Sequence, residues 1–143
     1  MGWVCLQLHP VEIIIEIDPF LILEEEEYQD GDIILREGTS TDWIYIILEG
    51  RVKIQKSTPQ GMVSITTLGE ERVVGEMAFL EKGKVPRAAS AVALGDVRLG
   101  VLDHDKLTKE YDSLSPLFRN LILTLVRRLR FVTDAAVRLI TDQ

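Results

Sequence analysis

The chain has 143 residues, of which 46% are hydrophobic and 27% are charged, and its formal net charge is −7. This length and composition are typical of one globular domain, so we expect residues 1–143 to share one core. The negative charge argues against DNA or RNA binding by this chain, because Lys and Arg contacts to phosphate dominate that affinity. No apolar stretch could span a bilayer and no secretory signal is visible, which predicts a cytoplasmic protein without membrane contact.

The few cysteine and histidine residues limit the chemistry of the chain. Cys5 is the only cysteine, so neither an intramolecular disulfide nor a cysteine metal cluster can form. Cys5 and His9 lie in no catalytic frame, and we interpret them as structural. A metal-dependent jelly-roll enzyme would need clustered His and carboxylate ligands, but His9 and His104 fall in different parts of the chain. We therefore expect no catalytic residues, no metal site and no cofactor.

From about residue 19 to 103 the sequence reads as short strands separated by turns. The apolar run Ile33–Leu35 follows a turn at residues 30–32. Two strands, Trp43–Leu48 and Arg51–Lys56, flank Glu49-Gly50, a pair that predicts a tight hairpin.

The later strands continue this pattern. A turn at residues 58–61 leads into Met62–Leu68, and the strands Ala88–Ala93 and Asp96–Leu102 are predicted to join across Leu94-Gly95. Many short strands at this spacing predict a β-sandwich, a jelly roll or a barrel.

From about residue 104 to 141 the hydrophobic periodicity becomes helical. A short helix is predicted over about Asp105–Tyr111. Ser115-Pro116 favours the start of a long helix, since Ser caps a helix and Pro fits its first position. Towards the other end of the chain, Val11–Ile17 fits either a strand or a helix.

The long helix carries a heptad pattern of apolar residues. This pattern predicts a homodimer through the helix around Phe118–Leu139, although a helix packed only on its own core remains the alternative. A second apolar line through Leu117, Leu121 and Val126 is expected to face the β part. The residues of the heptad pattern, called the seam below, are Phe118, Ile122, Leu125, Leu129, Val132, Ala136 and Leu139.

One segment between two predicted strands has the residue types of an anion site. Gly75 permits a close backbone approach, and Glu76–Leu80 could form one helical turn whose first N–H groups are free to meet a phosphate. Arg87 supplies a planar fork of donors that matches phosphate oxygens. Small residues at 88–90 leave room for a ligand beside the strand.

This segment resembles the phosphate-binding cassette of cyclic nucleotide-binding domains. The family includes regulatory subunits of cAMP-dependent protein kinase, bacterial catabolite activator proteins and cyclic nucleotide-gated channels. The resemblance covers roughly Pro19–Ile140 and implies a mainly β fold: a double-stranded β-helix (jelly-roll) barrel over about 19–103, with a short and a long C-terminal helix. It rests on Gly75-Glu76-Met77-Ala78 and Pro86-Arg87-Ala88-Ala89-Ser90, with Tyr28-x-x-Gly31-Asp32-x-Ile34-x-x-x-Glu37-Gly38 and Asp42-x-x-Tyr45-x-Ile47-x-x-Gly50-x-Val52 upstream.

The resemblance implies a role for each cassette residue. Glu76 would accept the ribose 2′-hydroxyl, and Arg87 would pair with the cyclic phosphate. A Thr directly after this Arg tends to favour cGMP in the family, so Ala88 favours cAMP, with cGMP possible. The base would meet the last helix, where Thr133 is the leading candidate beside Arg127, Arg128 and Arg130. The amides that would complete the phosphate cradle belong to Gly75, Met77, Ala78, Ala88 and Ala89.

The resemblance also leaves two functions to be separated. The first is a sensor in which cyclic nucleotide binding moves the C-terminal helix and signals to an unidentified downstream protein. The second is a dimerisation or protein-interaction module with a vestigial pocket. The stretch from Glu76 to Arg87 exceeds the family's usual length by one or two residues. This extra length favours the second function, because it could move Arg87 away from the phosphate. A complete transcription regulator is not expected, because the sequence ends within a few residues of the long helix.

Overall fold

A computed structural model describes residues 17–141 of the chain. Within them, six strands form one antiparallel sheet and three helices pack against it, which confirms the predicted mainly β roll with a short and a long C-terminal helix. The predictions for Cys5, His9 and residues 11–16 lie outside the described residues. The elements are β1 (Ile22–Tyr28), β2 (Ile33–Leu35), β3 (Tyr45–Thr58), β4 (Gly61–Leu68), β5 (Val73–Val74), α1 (Glu76–Leu80), β6 (Ser90–Leu102), α2 (His104–Ser113) and α3 (Pro116–Thr141), with a 3-10 turn at Pro19–Leu21.

Two long strands, β3 and β6, form the spine of the roll. They pair with each other antiparallel, with Tyr45 opposite Val101 and Val52 opposite Ala93. At its two ends β6 also pairs with β1 and β2, while β3 pairs with β5 and β4. Each long strand therefore belongs to both halves of the roll, so the halves are held together by continuous backbone.

The predicted hairpin at Glu49-Gly50 is wrong, and so is the predicted join of two strands across Leu94-Gly95. The chain passes through both sites without reversing, and the register of the β3–β6 ladder shifts there instead. Gly50 has φ 93° and Gly95 has φ 77°, so each supplies a backbone conformation that bends a strand. A glycine bulge and a hairpin carry the same local sequence signal, and the cross-strand partners decide between them.

Apolar side chains fill two clusters on opposite faces of the sheet. Tyr45 and Ile47 point into the roll, whereas Ile44 and Ile46 point outward, as the alternation of a strand requires. The outer cluster includes Phe79 of α1 and Leu102, with Leu107 of α2 packed against it. The sheet is thus buried on both faces, and α1, which precedes the cassette loop, is seated on its outer face.

Both C-terminal helices begin at capping residues. Asp103 accepts a hydrogen bond from Lys106 N (3.1 Å) at the start of α2, and Ser115 Oγ accepts one from Phe118 N (3.3 Å) at the start of α3. The predicted cap of the long helix is therefore confirmed. Within residues 17–141, no helix combines the length and the apolarity needed to cross a bilayer.

The prediction that Leu117 and Leu121 face the β part is wrong, since both are exposed. Val126 and Val137 are the buried residues of α3, and Arg130 and Thr133 between them are partly buried. Polar residues occupy the inward face because it lies over a cavity, where a purely apolar line would have no partner. The inward face of the helix was therefore not readable from hydrophobicity alone.

Gly50 and Gly95, the glycines at the two bends, allow a matched test of how closely β3 and β6 approach each other. A Cβ on Gly50 would lie 2.4 Å from the Asp96 carbonyl oxygen, whereas a Cβ on Gly95 would meet nothing within 4 Å. Both substitutions to Ala incur the cost of positive φ, about 1–2 kcal/mol, but only Gly50→Ala adds an overpacking cost of about 1–3 kcal/mol. Chemical denaturation should show the larger loss of unfolding free energy for Gly50→Ala; equal losses would contradict the close strand approach.

Candidate functional site

Arg87 is fixed in the fold by its own backbone. Its N–H donates to the Thr39 carbonyl (2.9 Å), and its carbonyl accepts from Gly38 N (2.9 Å). Gly38 has φ 83°, which explains why the sequence carries a glycine after Glu37. Glu37 in turn accepts from Ser57 N (2.9 Å) and donates its own N–H to Ser90 Oγ (2.8 Å). The segment before β3 therefore holds both sides of the arginine.

The Arg87 side chain is only 5% exposed, and its hydrogen bonds go to neutral oxygens. Nε donates to Thr41 Oγ1 (3.1 Å) and Nη2 to the Trp43 carbonyl (2.9 Å). Burial lowers the pKa of the guanidinium, since water no longer stabilises its charge, although the group remains a cation. The remaining nitrogen, Nη1, lies 3.1 Å from where a Cβ on Gly75 would stand. The fork is thus aimed along the start of α1.

Gly75 precedes α1 as its N-cap and has the left-handed conformation, with φ 91°. A Cβ at this position would lie 2.6 Å from the Trp43 carbonyl oxygen, so glycine is required for space as well as conformation. The predicted helical turn at Glu76–Leu80 is confirmed. Because α1 starts here, the amides of its first turn have no acceptor within the helix, and Glu76, Met77 and Ala78 of that turn line the site.

Glu76 lies in the first turn of α1 and lines the site. Its side chain is accessible, yet the walls of a concave site leave little bulk water around the carboxylate. This desolvation raises the pKa of Glu76, while the backbone and the charge of Arg87 oppose the rise. An acceptor that is poorly hydrated loses little when a ligand hydroxyl replaces its water.

All seven predicted site residues line one cavity of about 260 Å³. The cassette surrounds it from one side, β3 and β4 from another, and α3 from above. Sequence reasoning missed the walls contributed by the strands and by Leu129 of the helix. The cavity is lined by the predicted Gly75, Glu76, Met77, Ala78, Arg87, Ala88 and Ala89, and also by Leu35, Ile54, Ile65, Thr66, Leu68, Val74, Ser90, Ala91, Leu129, Arg130 and Thr133.

The strand walls give the cavity an apolar half. Ile54 on β3 and Ile65 and Leu68 on β4 lie away from the charged cassette. One end of the cavity is therefore polar and the other is apolar. The alternation of Val52 and Ile54 with charged residues was a signal that these positions face inward. Which of the inward positions meet a cavity depends on how the strands pair and could not be read from the sequence.

Of the helix residues predicted to meet a base, Arg130 and Thr133 line this cavity, whereas Arg127 and Arg128 do not. Arg130 instead pairs with Glu81, whose side chain is 5% exposed. Nε donates to Glu81 Oε1 (2.7 Å), Nη2 lies 2.6 Å from the same oxygen, and Nη1 donates to the Pro86 carbonyl (3.2 Å). The cassette loop and α3 are therefore fastened by a buried ion pair.

Lys56 makes a second link between the same parts. Its Nζ donates to the Ala88 carbonyl (2.7 Å) and lies 3.6 Å from Asp134 of α3 and 3.7 Å from Glu37. The sequence showed Lys56 only as the last residue of the predicted strand Arg51–Lys56, and no local signal marked it as a contact of the cassette. Lys56 therefore contacts both Ala88, the residue after Arg87, and Asp134 of α3.

A third contact joins the segment that holds Arg87 to helix α2. His104 Nε2 donates to Asp42 Oδ2 (2.6 Å), since a carboxylate only accepts. Asp42 stands between Thr41 and Trp43, the two residues that hold the guanidinium. This hydrogen bond raises the pKa of His104, and burial opposes the rise less strongly. The edge of the His104 ring also meets Phe79 of α1, with ring centroids 5.5 Å apart.

Comparison with known proteins identifies this arrangement. The family model described as the cyclic nucleotide-binding domain matches residues 25–113. The chain is 31% identical over 109 residues to a CRP-like cAMP-activated global transcriptional regulator of Mycobacterium tuberculosis, covering 76% of this chain and 48% of that protein. It is 33% identical over 91 residues to a cAMP-dependent protein kinase regulatory subunit of Dictyostelium discoideum, covering 61% of this chain and 27% of that protein.

Solved structures agree with these relatives. The EAL enzyme Bd1971 in its cAMP-bound form has a TM-score of 0.72 and 30% identity, covering 80% of this chain and 30% of that one. Its cGMP-bound form has a TM-score of 0.69 and 32% identity, covering 75% and 28%. The resemblance noted in the sequence is confirmed. The chain spans about half or less of the length of these proteins.

Removing the cation of the buried Glu81–Arg130 pair should be costly. Arg130→Met leaves the Glu81 carboxylate buried without a partner, and we expect a loss of about 3–5 kcal/mol in unfolding free energy. Lys82→Gln, which breaks the exposed pair with Asp112 (2.7 Å), is the matched control and should cost about 1 kcal/mol or less. Urea denaturation measures both; a similar small loss for both variants would contradict the fastening of the loop to α3.

The raised pKa of His104 predicts a specific pH dependence. In the folded state the pKa lies above the ordinary value of 6.5, so the protonated ring stabilises the fold fully below about pH 6.5. This stabilisation is lost as the pH rises through the raised pKa. The pH dependence of unfolding should therefore differ between wild type and His104→Gln in that window, and an NMR titration should show the elevated pKa. A pKa of 6.5 or lower would contradict the Asp42 contact.

Proposed function

This chain belongs to the cyclic nucleotide-binding domain family, and we propose that its cavity binds a cyclic nucleotide, with cAMP preferred, as a non-catalytic regulatory module. The observation that carries the proposal is Arg87, a buried cation whose side-chain hydrogen bonds end on neutral oxygens. A buried charge is stable only when it is compensated, and an anion at the start of α1 would compensate it.

The polar end of the cavity suits a cyclic phosphate attached to a ribose. The phosphate takes the free nitrogen of Arg87 and the amides around Gly75, Met77, Ala78, Ala88 and Ala89. Glu76 accepts the ribose 2′-hydroxyl, which fits a carboxylate that lines the site and carries little water. The one or two extra residues before Arg87 do not displace it, because the backbone bonds to Gly38 and Thr39 fix its position.

The apolar end suits a purine. Ile54, Ile65 and Leu68 offer flat apolar contacts, and Thr133 of α3 can hydrogen-bond to the base edge. Ala88 supplies no hydroxyl beside the phosphate, where a Thr would favour cGMP by the resemblance, so cAMP is favoured. The names of the relatives, a cAMP-activated regulator and a cAMP-dependent kinase subunit, point the same way.

Ligand binding is coupled in this proposal to the position of α3. The helix covers the cavity with Leu129, Arg130 and Thr133, and it is tied to the cassette through Glu81. A nucleotide that contacts cassette and helix together binds the docked state more tightly than an undocked one. It therefore shifts the population towards the docked state by that difference in affinity.

The exposed seam of α3 supports a homodimer. Phe118 is 60% exposed, Leu125 63% and Val132 60%, and they repeat at heptad spacing along one face. A single chain leaves this stripe in water, whereas a second copy of the same helix would bury it. An interaction module with a vestigial pocket is the competing function, and this seam favours it as much as it favours a sensor.

The remaining parts of the proposal concern partners. The domain itself is proposed not to bind DNA, since its net charge is −7, and its signal passes to a downstream protein that the sequence does not identify. Its place in the cytoplasm remains a prediction.

Isothermal titration with cAMP and cGMP tests the ligand. We expect saturable binding of both nucleotides, with a lower dissociation constant for cAMP than for cGMP. Glu76→Gln should raise the dissociation constant for cAMP about tenfold, because a charge-assisted hydrogen bond is lost. Arg87→Ala should raise this constant further, and circular dichroism checks that the variant is folded. Arg51→Ala, on the exposed part of β3, is the matched control.

Ala88→Thr refines the same experiment, because the added hydroxyl should shift preference towards cGMP. The absence of wild-type binding at millimolar cAMP would overturn the sensor and leave the interaction module.

Sedimentation equilibrium tests the seam independently of any ligand. Leu125→Glu places a charge at the centre of the helix contact and should convert a dimer into a monomer. Phe131→Glu is the control, because Phe131 is also exposed (74%) but lies off the seam on the same helix. A wild-type monomer at high concentration, or equal dissociation by both variants, would contradict the proposed dimer.

A further inference from the structure

A second cavity lies on the far side of the cassette loop. It has a volume of about 350 Å³ and is enclosed by the end of α1, the loop at residues 81–85, α2 and the first three turns of α3. Leu80, Val85 and Leu123 form its apolar lining. It shares no lining residue with the first cavity: Glu81 lines the second cavity and Arg130 the first, so the Glu81–Arg130 pair stands between the two.

Four basic side chains converge on this second cavity: Lys82, Lys84, Arg119 and Arg127. Lys82 pairs with Asp112, whereas the other three form no ion pair among residues 17–141. The carboxylate that lines the cavity, Glu81, is already neutralised by Arg130. A chain with a net charge of −7 thus gathers unpaired cations around one concavity, which requires an explanation beyond solubility.

The two arginines are aligned by the helix that carries them. Arg119, Leu123 and Arg127 recur every four residues and so lie on one face of α3. At 3.6 residues per turn, Arg127 lies about 160° around the axis from Leu129 of the seam. Arg127 is therefore turned away from the proposed dimer contact, whereas Arg119, about 60° around the axis from Ile122, lies nearer its edge.

Tyr111 adds an independent sign of a missing partner. Its ring lines the cavity, with Lys82 Nζ 5.9 Å from the ring centroid. Its hydroxyl is buried and has no hydrogen-bond partner in the described part of the chain. Buried hydroxyls normally have a partner, so this unpaired hydroxyl is an unusual feature of a residue that lines the cavity.

We propose that this second cavity is a binding site for a small phosphorylated molecule with two or more negative charges, separate from the nucleotide cavity. Its size is within the range of small-molecule sites, and its charge is too concentrated for a neutral ligand. Arg119 and Arg127 are about 12 Å apart along the helix, which suits an anion with more than one charged group. The phosphate groups contact the basic residues, and the remainder of the molecule lies against Leu123 and Val85.

An occupant of this cavity would touch the same loop and the same helix that the Glu81–Arg130 pair joins. It would thus stabilise the docked position of α3 from the outside. The proposal of an anion site does not depend on this effect on α3. It is tested by direct binding of an anion, and it is independent of the proposed nucleotide function.

Inorganic pyrophosphate titrated into the full chain tests the site by calorimetry and by ¹H–¹⁵N chemical shifts. We expect shifts centred on residues 82–84 and 119–127. Arg119→Gln and Arg127→Gln should each raise the dissociation constant about tenfold. Arg128→Gln is the matched control, since it removes the same charge from the neighbouring position outside this cavity, and it should change the constant little.

Three results would overturn the proposal. The first is no saturable binding of pyrophosphate by wild type up to about 10 mM. The second is an equal loss in Arg128→Gln, which would mean diffuse attraction by the helix. The third is a set of shifts centred on residues 75–78 and 87–89, which would assign the anion to the first cavity. Lys84→Gln, at an exposed loop position that the fold does not depend on, repeats the test if an arginine variant misfolds.

Discussion

Arg87 is a cation in the interior of the roll, and the surrounding structure is arranged to keep it there. Its backbone is bonded on both sides to the segment before β3, and its side chain donates to Thr41 and Trp43 of the same segment. These neutral acceptors satisfy its hydrogen bonds, and the carboxylates of Asp42 and Glu76 act on its charge through space. The start of α1 and the close approach of Gly75 to Trp43 place the guanidinium at the wall of the cavity.

The helix α3 brings three surfaces of different chemistry around one axis. One face, with Arg130 and Thr133, covers the first cavity and is fastened to Glu81. A second face is the exposed apolar seam, and a third, with Arg119 and Arg127, is basic. Because all three surfaces belong to one helix, a change in the position of α3 moves each of them.

The sequence indicated the strands, the long helix and the cassette, and it failed where the same residues permit two structures. Glu49-Gly50 is as suitable for a bulge as for a hairpin, and only the partner strand, with Gly50 packed against Asp96, requires the bulge. Leu117 and Leu121 were expected to be buried, but α3 turns a polar face with Arg130 to the roll instead. All seven predicted cassette residues line one cavity, since they are close together in the sequence and match the family's motif.

The sequence by itself determined the fold class and the cassette residues that line the first cavity, because strand alternation, helix periodicity and the cassette are local patterns. Only the tertiary structure decided which distant residues complete the sites. Ile54, Leu68, Lys56 and the pairing of Glu81 with Arg130 depend on the register of the strands and on how α3 lies across the loop. Contacts between residues far apart in the sequence carry no local signal, so the apolar wall, the fastening of the helix and the second cavity appear only in the folded chain.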